Sequence, residues 1–185
     1  MKPLVLDASA ALALVRDEPG SQVVLSELRQ ATEDGRPILV PQLFWLEVVN
    51  VLARRYRYPP EAIVEAVYEL EEVGIVTAEI GKPTTLAVID VIGRTGLTAY
   101  DALYIVLAES SDATMLTGDA ALSHAAGSRA LLIGAGGGIG EERSDYQALS
   151  PWPRWRGAER YLRDLRASVQ EAGPATASRL TDPVA

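Results

Sequence analysis

A three-layer α/β/α fold, a parallel β-sheet flanked by helices, is what this sequence of 185 residues predicts. Two observations carry the prediction. Short apolar runs alternate with longer helical patterns from residue 3 to residue 133, and strands alternating with helices favour a parallel sheet covered on both faces. Hydrophobic residues make up 48% of the chain and aromatics only 6%, so the core must be built from Ala, Val, Leu and Ile. A chain of this length can bury one sizeable core and still carry an extension.

The elements follow in order. PLVL (3–6) is a short apolar run ending at Asp7, and ILV (38–40) is another, bracketed by Pro37 and Pro41. GIVTAEI (74–80), ATMLT (113–117) and ALLI (130–133) are the remaining candidate strands. Helical patterns lie between them at 9–16, 20–34, 42–57, 60–73, 83–95, 98–110 and 119–126. The pattern at LTAYDALYIVLAES (97–110) is apolar almost all round, through Ala99, Ala102, Leu103, Ile105, Val106 and Leu107, yet it carries Asp101 one turn from its start. There is no internal repeat.

After Ile133 the texture changes, which divides the chain into a domain at 1–133 and an extension at 134–185. GAGGGIG (134–140) reads as a flexible linker. It fails as a dinucleotide fingerprint, because Ile139 occupies the third glycine position of GxGxxG and no further βαβ unit follows. Beyond it, Ala158, Tyr161, Leu162, Leu165 and Val169 mark one face of an amphipathic helix, and PATASRLTDPVA has the composition of a disordered end.

Composition excludes several chemistries. The chain has no cysteine, which removes disulfides, thiolate zinc sites and cysteine nucleophiles. MKPLVLDASAAL reaches an acid at residue 7 with no long apolar region, and no run is long enough to span a bilayer. A cytoplasmic protein with no membrane association is the expectation. All of the net charge of −8 lies in residues 1–133, where 18 acids outnumber 10 bases, while residues 134–185 carry 7 of each. Such acidity opposes broad electrostatic binding of nucleic acid, although a local site can override it. His124 is the sole histidine, so a two-histidine ribonuclease mechanism is unavailable; there is also no GxSxG elbow and no P-loop.

Four acids then stand out by position. Asp7 and Asp119 each follow a strand, where they can cap the next helix, Asp7 together with Ser9, or face a ligand at the carboxyl edge of the sheet. Asp101 lies three residues after Thr98, which is a capping-box spacing. Glu47 sits in PQLFWLEVVNVLARR among Phe44, Trp45, Leu46, Val48 and Val49. It either faces solvent on an amphipathic helix or needs a compensating partner, because burying a lone carboxylate costs several kcal/mol. If the four converge, each like-charge pair at about 5 Å costs on the order of 3 kcal/mol at an effective dielectric near 20. A divalent cation would relieve that repulsion. All-oxygen ligands favour Mg²⁺ or Mn²⁺, and such a site suits metal-assisted phosphodiester hydrolysis.

The segments LVLDASAAL, PQLFWLEVVNVLAR, GLTAYDALYIVLAES and ATMLTGDAAL together resemble the PIN domain, and within it the VapC-like toxin ribonucleases. The resemblance covers about residues 3–133 and matches the family's acids in order at Asp7, Glu47, Asp101 and Asp119, with Ser9, Asn50 and Thr117 as polar companions. It implies a PIN-like parallel sheet with the acids at its carboxyl edge. It further implies Mg²⁺ or Mn²⁺ held by Asp7, Asp101 and Asp119, endonucleolytic cleavage of RNA, a small VapB-like antitoxin and a homodimer. The extension after Ile133 departs from the pattern. Arg54, Arg55 and Arg57, interleaved with Tyr56 and Tyr58, can either contact RNA or complement a helix dipole. WPRWR (152–156) can stack bases or dock the extension. The alternatives to a toxin are a housekeeping PIN nuclease, a PIN-like module that binds a partner, and a metal phosphatase or DNA nuclease.

Overall fold

A computed structural model describes residues 2–134. The strands are β1 (Leu4–Leu6), β2 (Ile38–Pro41), β3 (Ile75–Ala78), β4 (Thr114–Thr117) and β5 (Ala130–Leu132). The helices are α1 (Ala8–Val15), α2 (Ser21–Glu33), α3 (Leu43–Arg54), α4 (Pro60–Glu72), α5 (Lys82–Thr95), α6 (Ala99–Ser110) and α7 (Ala120–Ala126), with one 3₁₀ turn at Gly127–Arg129. Each strand and helix anticipated up to residue 133 is present. The linker, apart from Gly134, and the extension beyond it lie outside the described residues.

All pairings are parallel, in the order β3-β2-β1-β4-β5. Leu4, Val5 and Leu6 are all fully buried. Successive strand residues face opposite sides, so burial of three in a row means that both faces at the centre are covered. The chain builds outward from β1 through β2 to β3, then returns to the other side of β1 for β4 and β5. That reversal opens a crevice at the carboxyl ends of β1 and β4, where open α/β sheets hold their ligands.

Helix α6 packs across β1, β2 and β4 and beside α5. Its all-round apolar pattern follows from that central position: Ala102, Leu103, Tyr104, Ile105, Val106 and Ala108 are buried. One boundary differs from expectation. The pattern 42–57 stops as a helix at Arg54, and Arg57 takes a left-handed φ of 55°. Tyr58 precedes Pro59, and a residue before proline avoids the helical region, so the chain must turn before it reaches Pro60 and α4. Among the described residues no helix is long and apolar enough to cross a membrane.

Candidate active site

Asp7 leaves the end of β1 and caps α1. Its backbone is extended (φ −80°, ψ 152°), and its side chain accepts from the Ser9 amide at 3.3 Å. It also accepts from the hydroxyls of Ser9 and of Thr117, the latter at 2.8 Å. Each hydroxyl is itself oriented by a backbone donor. The Gly118 amide donates to Ser9 Oγ at 2.8 Å, and the Asp119 amide donates to Thr117 Oγ1 at 3.0 Å. Two short relays therefore run from the β4–α7 turn to one carboxylate. Glycine at position 118 leaves room for this contact, because a Cβ there would lie 3.3 Å from Ser9 Oγ and press on it. Asp7 is only 6% exposed, and burial raises its pKa against the opposing pull of the Ser9 and Thr117 hydrogen bonds.

Glu47 is half-buried on α3. Its Oε2 accepts from the Tyr104 hydroxyl at 2.5 Å, which ties α3 to α6 across 57 positions of sequence. Burial is the main reason its pKa is pushed up to about 7; the charges of Asp7 and Asp101 add to the rise, and the Tyr104 bond opposes it. The Tyr104 hydroxyl is raised in turn, by burial first and then by the Asp7 and Glu47 charges, so it stays protonated and keeps donating. Glu47 thus lies within electrostatic reach of both Asp7 and Asp101.

Asp101 realises the capping alternative. Thr98 caps α6, accepting from the Asp101 amide at 3.2 Å and donating to its Oδ2 at 2.7 Å. Asp119 likewise caps α7 by accepting from the Leu122 amide at 2.9 Å. It meets Asp7 only through Thr117. Asn50 is exposed one turn beyond Glu47 and joins none of these bonds. Among the described residues, no three acid or histidine side chains stand as a group that could hold a metal ion. The donor chemistry nonetheless fits one. The acids offer hard oxygen ligands. The burial that raises Asp7 and Glu47, and the like charges that add to the rise at Glu47, are the penalties a divalent cation offsets.

Arg54, Arg55 and Arg57 are exposed around the end of α3. Arg55 lies 5.6 Å from the centre of the Tyr56 ring, while Arg16 stacks against that ring at 3.2 Å. His124 is exposed on α7, away from these bonds. Tyr104 is the residue that sequence reasoning passed over. Its signal was a tyrosine in the middle of the apolar run 102–107, whose hydroxyl demands a partner once buried.

A parallel sheet whose switch point gathers carboxylates defines an α/β carboxylate-site protein. The PIN domain model matches residues 4–128, and the chain belongs to the PIN domain family. PIN domains are typically nucleases and generally use divalent metals. Among the solved structures that resemble it is the crystal structure of PAE2754 from Pyrobaculum aerophilum. The two are 25% identical with a TM-score of 0.50, over 67% of this chain and 79% of that one. No curated protein matches the sequence.

Proposed function

We propose that the chain is a metal-dependent endoribonuclease that hydrolyses RNA phosphodiester bonds. We place it as the toxin of a VapBC-type pair, working in the cytoplasm as a homodimer restrained by a VapB-like antitoxin. The observation that carries the catalytic reading is that Glu47 lies within electrostatic reach of both Asp7 and Asp101 beside the β1/β4 switch point of a PIN fold.

Asp7, Asp101 and Asp119 are the residues that would hold Mg²⁺ or Mn²⁺, and Ser9 and Thr117 fix the orientation of Asp7. The ion, when bound, supplies charge at a phosphoryl oxygen and an activated water. Glu47, with its pKa near 7, is suited to take a proton from the attacking water at neutral pH. Tyr104 holds that carboxylate in place. Arg54, Arg55 and Arg57 provide the local positive charge that RNA needs on an acidic protein.

A second reading has an observation in its favour: Asp101 and Asp119 are both engaged as helix caps, and no ready-made ligand group exists among the described residues. On that reading the domain binds a partner and cuts nothing. Incubating the purified chain with structured RNAs and single-stranded DNA, in Mg²⁺, Mn²⁺ or chelator, separates the two. Metal-dependent RNA cleavage that disappears in Asp7→Asn supports the nuclease; no cleavage under any condition supports the binding module. Growth arrest on expression, relieved by a small protein encoded alongside, tests the toxin assignment separately.

A further inference from the structure

We propose that the cavity beside Asp7 binds the base of a nucleotide flanking the scissile phosphate, with guanine preferred. That the occupant is a nucleotide rests on the nuclease reading above; the preference for guanine comes from the walls.

The cavity is about 310 Å³. Ser9 and Gly118 line it, and Ser9 is hydrogen-bonded to Asp7, so the wall of the cavity is joined to the acid site through one side chain. Its size is at the lower bound for small-ligand pockets, roughly 300–1,000 Å³, which suits one base rather than a dinucleotide. Leu12, Ala13, Val51 and Ile133 give it aliphatic walls, Tyr56 adds an aromatic one, and Arg55 brings a cation to the lining. Arg16 stacks on Tyr56 at 3.2 Å but does not line the cavity, so it holds the ring from outside. A mixed slot with an immobilised aromatic wall and a guanidinium is how proteins take up an unstacked RNA base.

Glu18 supplies the selectivity. It lines the cavity, and its carboxylate is held by Arg16 Nη1 at 2.6 Å and by the Tyr56 hydroxyl at 3.4 Å. A carboxylate is acceptor-only and has about four acceptor sites, more than those two bonds use. It therefore favours bases that present N–H groups. Guanine offers two adjacent donors on its Watson–Crick edge, while uracil offers one, between two carbonyls that a carboxylate repels. Because Glu18 is pre-positioned by Arg16, the preference needs no rearrangement of the wall.

The test is NMR titration of the full chain with each of the four ribonucleoside 5′-monophosphates, with and without Mg²⁺. GMP is expected to shift the amides of Val51, Tyr56 and Gly118 and to bind roughly tenfold tighter than UMP, the discrimination typical of one good bidentate pair. Glu18→Gln should erase that gap. Val51→Met, which pushes a longer, adaptable side chain into the cavity from α3, should weaken all four nucleotides while the protein still melts cooperatively. Equal binding of GMP and UMP by the wild type overturns the proposal. So do shifts confined to the start of α6, or a folded Val51→Met that binds GMP like the wild type. GMP in the cavity of a protein that cuts no RNA would reject the nuclease and keep the pocket. Metal-dependent cleavage with no preference for the base beside the cut, and no mononucleotide binding, would do the reverse.

Discussion

Replacing Tyr104 by Phe removes a single oxygen from a side chain that is 1% exposed, and the consequence should depend on pH. Above pH 7 Glu47 is ionised, and the lost bond is one made to a charge, worth about 1.5–3 kcal/mol; water reaches a half-exposed carboxylate, so the lower end applies. Below pH 5 Glu47 is protonated and the bond is neutral, worth about 0.5–1.5 kcal/mol. The wild type has a slope of its own. Glu47 is raised in the folded state from 4.5 to about 7, so between those values the folded protein holds more protons than the unfolded chain. Stability is therefore greatest below pH 4.5 and is lost as pH rises through 7, by about 1–2 kcal/mol after allowing for solvent screening. Buried Asp7, also raised, acts in the same direction. Urea denaturation of chelator-treated protein from pH 4.5 to 8.5 reads both effects. Tyr104→Phe should steepen the decline, Glu47→Gln should flatten it, and the double variant should cost less than the sum of the two. An equal cost of Tyr104→Phe at pH 5 and pH 8, additive with Glu47→Gln, would show that the hydroxyl does not serve Glu47.

Other outcomes follow from the same geometry. Asp101→Asn should melt no more than about 0.5 kcal/mol below the wild type without metal, since Asn still accepts from Thr98, yet RNA cleavage should fall by orders of magnitude; near wild-type cleavage would leave Asp101 as a cap alone. Thr117→Val removes the buried hydroxyl that donates to Asp7 and accepts from the Asp119 amide, and should cost about 1–3 kcal/mol by denaturation while weakening metal binding. Mg²⁺ or Mn²⁺ at about 100 times its dissociation constant should add about 2.7 kcal/mol of stability, seen as a rise in melting temperature that Asp7→Asn abolishes. Calorimetry with no heat at millimolar metal would count against the metal reading.

The alternation of apolar runs and helical patterns located every strand and α-helix up to residue 133, though not the 3₁₀ turn at Gly127–Arg129, because both periods are local properties of the chain. Helix ends were less legible: α3 falls short of residue 57 because of the prolines that follow, a restriction imposed from outside the periodic segment. The acids at 7 and 119 do cap helices, as their positions allowed, and capping does not by itself decide for or against a ligand role. Glu47 shows where sequence reasoning stops. Its apolar neighbours left open a solvent-facing position or burial with a compensating partner, and the structure lies between them: Leu46 is 68% exposed and Glu47 itself half-buried. Its compensating partner is a phenol from α6 rather than a cation, and no local pattern shows which two helices will cross. The cavity wall assembled from α1, the end of α3 and the β4–α7 turn was invisible for the same reason.

The strand order also sets a timetable. Asp7 is synthesised well before Thr117, its bond to that residue spanning 110 positions, and β1 cannot acquire its second neighbour until β4 exists. At about 5–20 residues per second, the carboxylate waits roughly 6–22 s on the ribosome for its partner. Closing so long a loop is also slow compared with forming the β1–β2 unit. A nascent chain interrupted anywhere before β4 holds half a sheet and no assembled acid site. On the nuclease reading proposed above, late completion of this kind would keep the site unassembled for most of the time the chain spends on the ribosome.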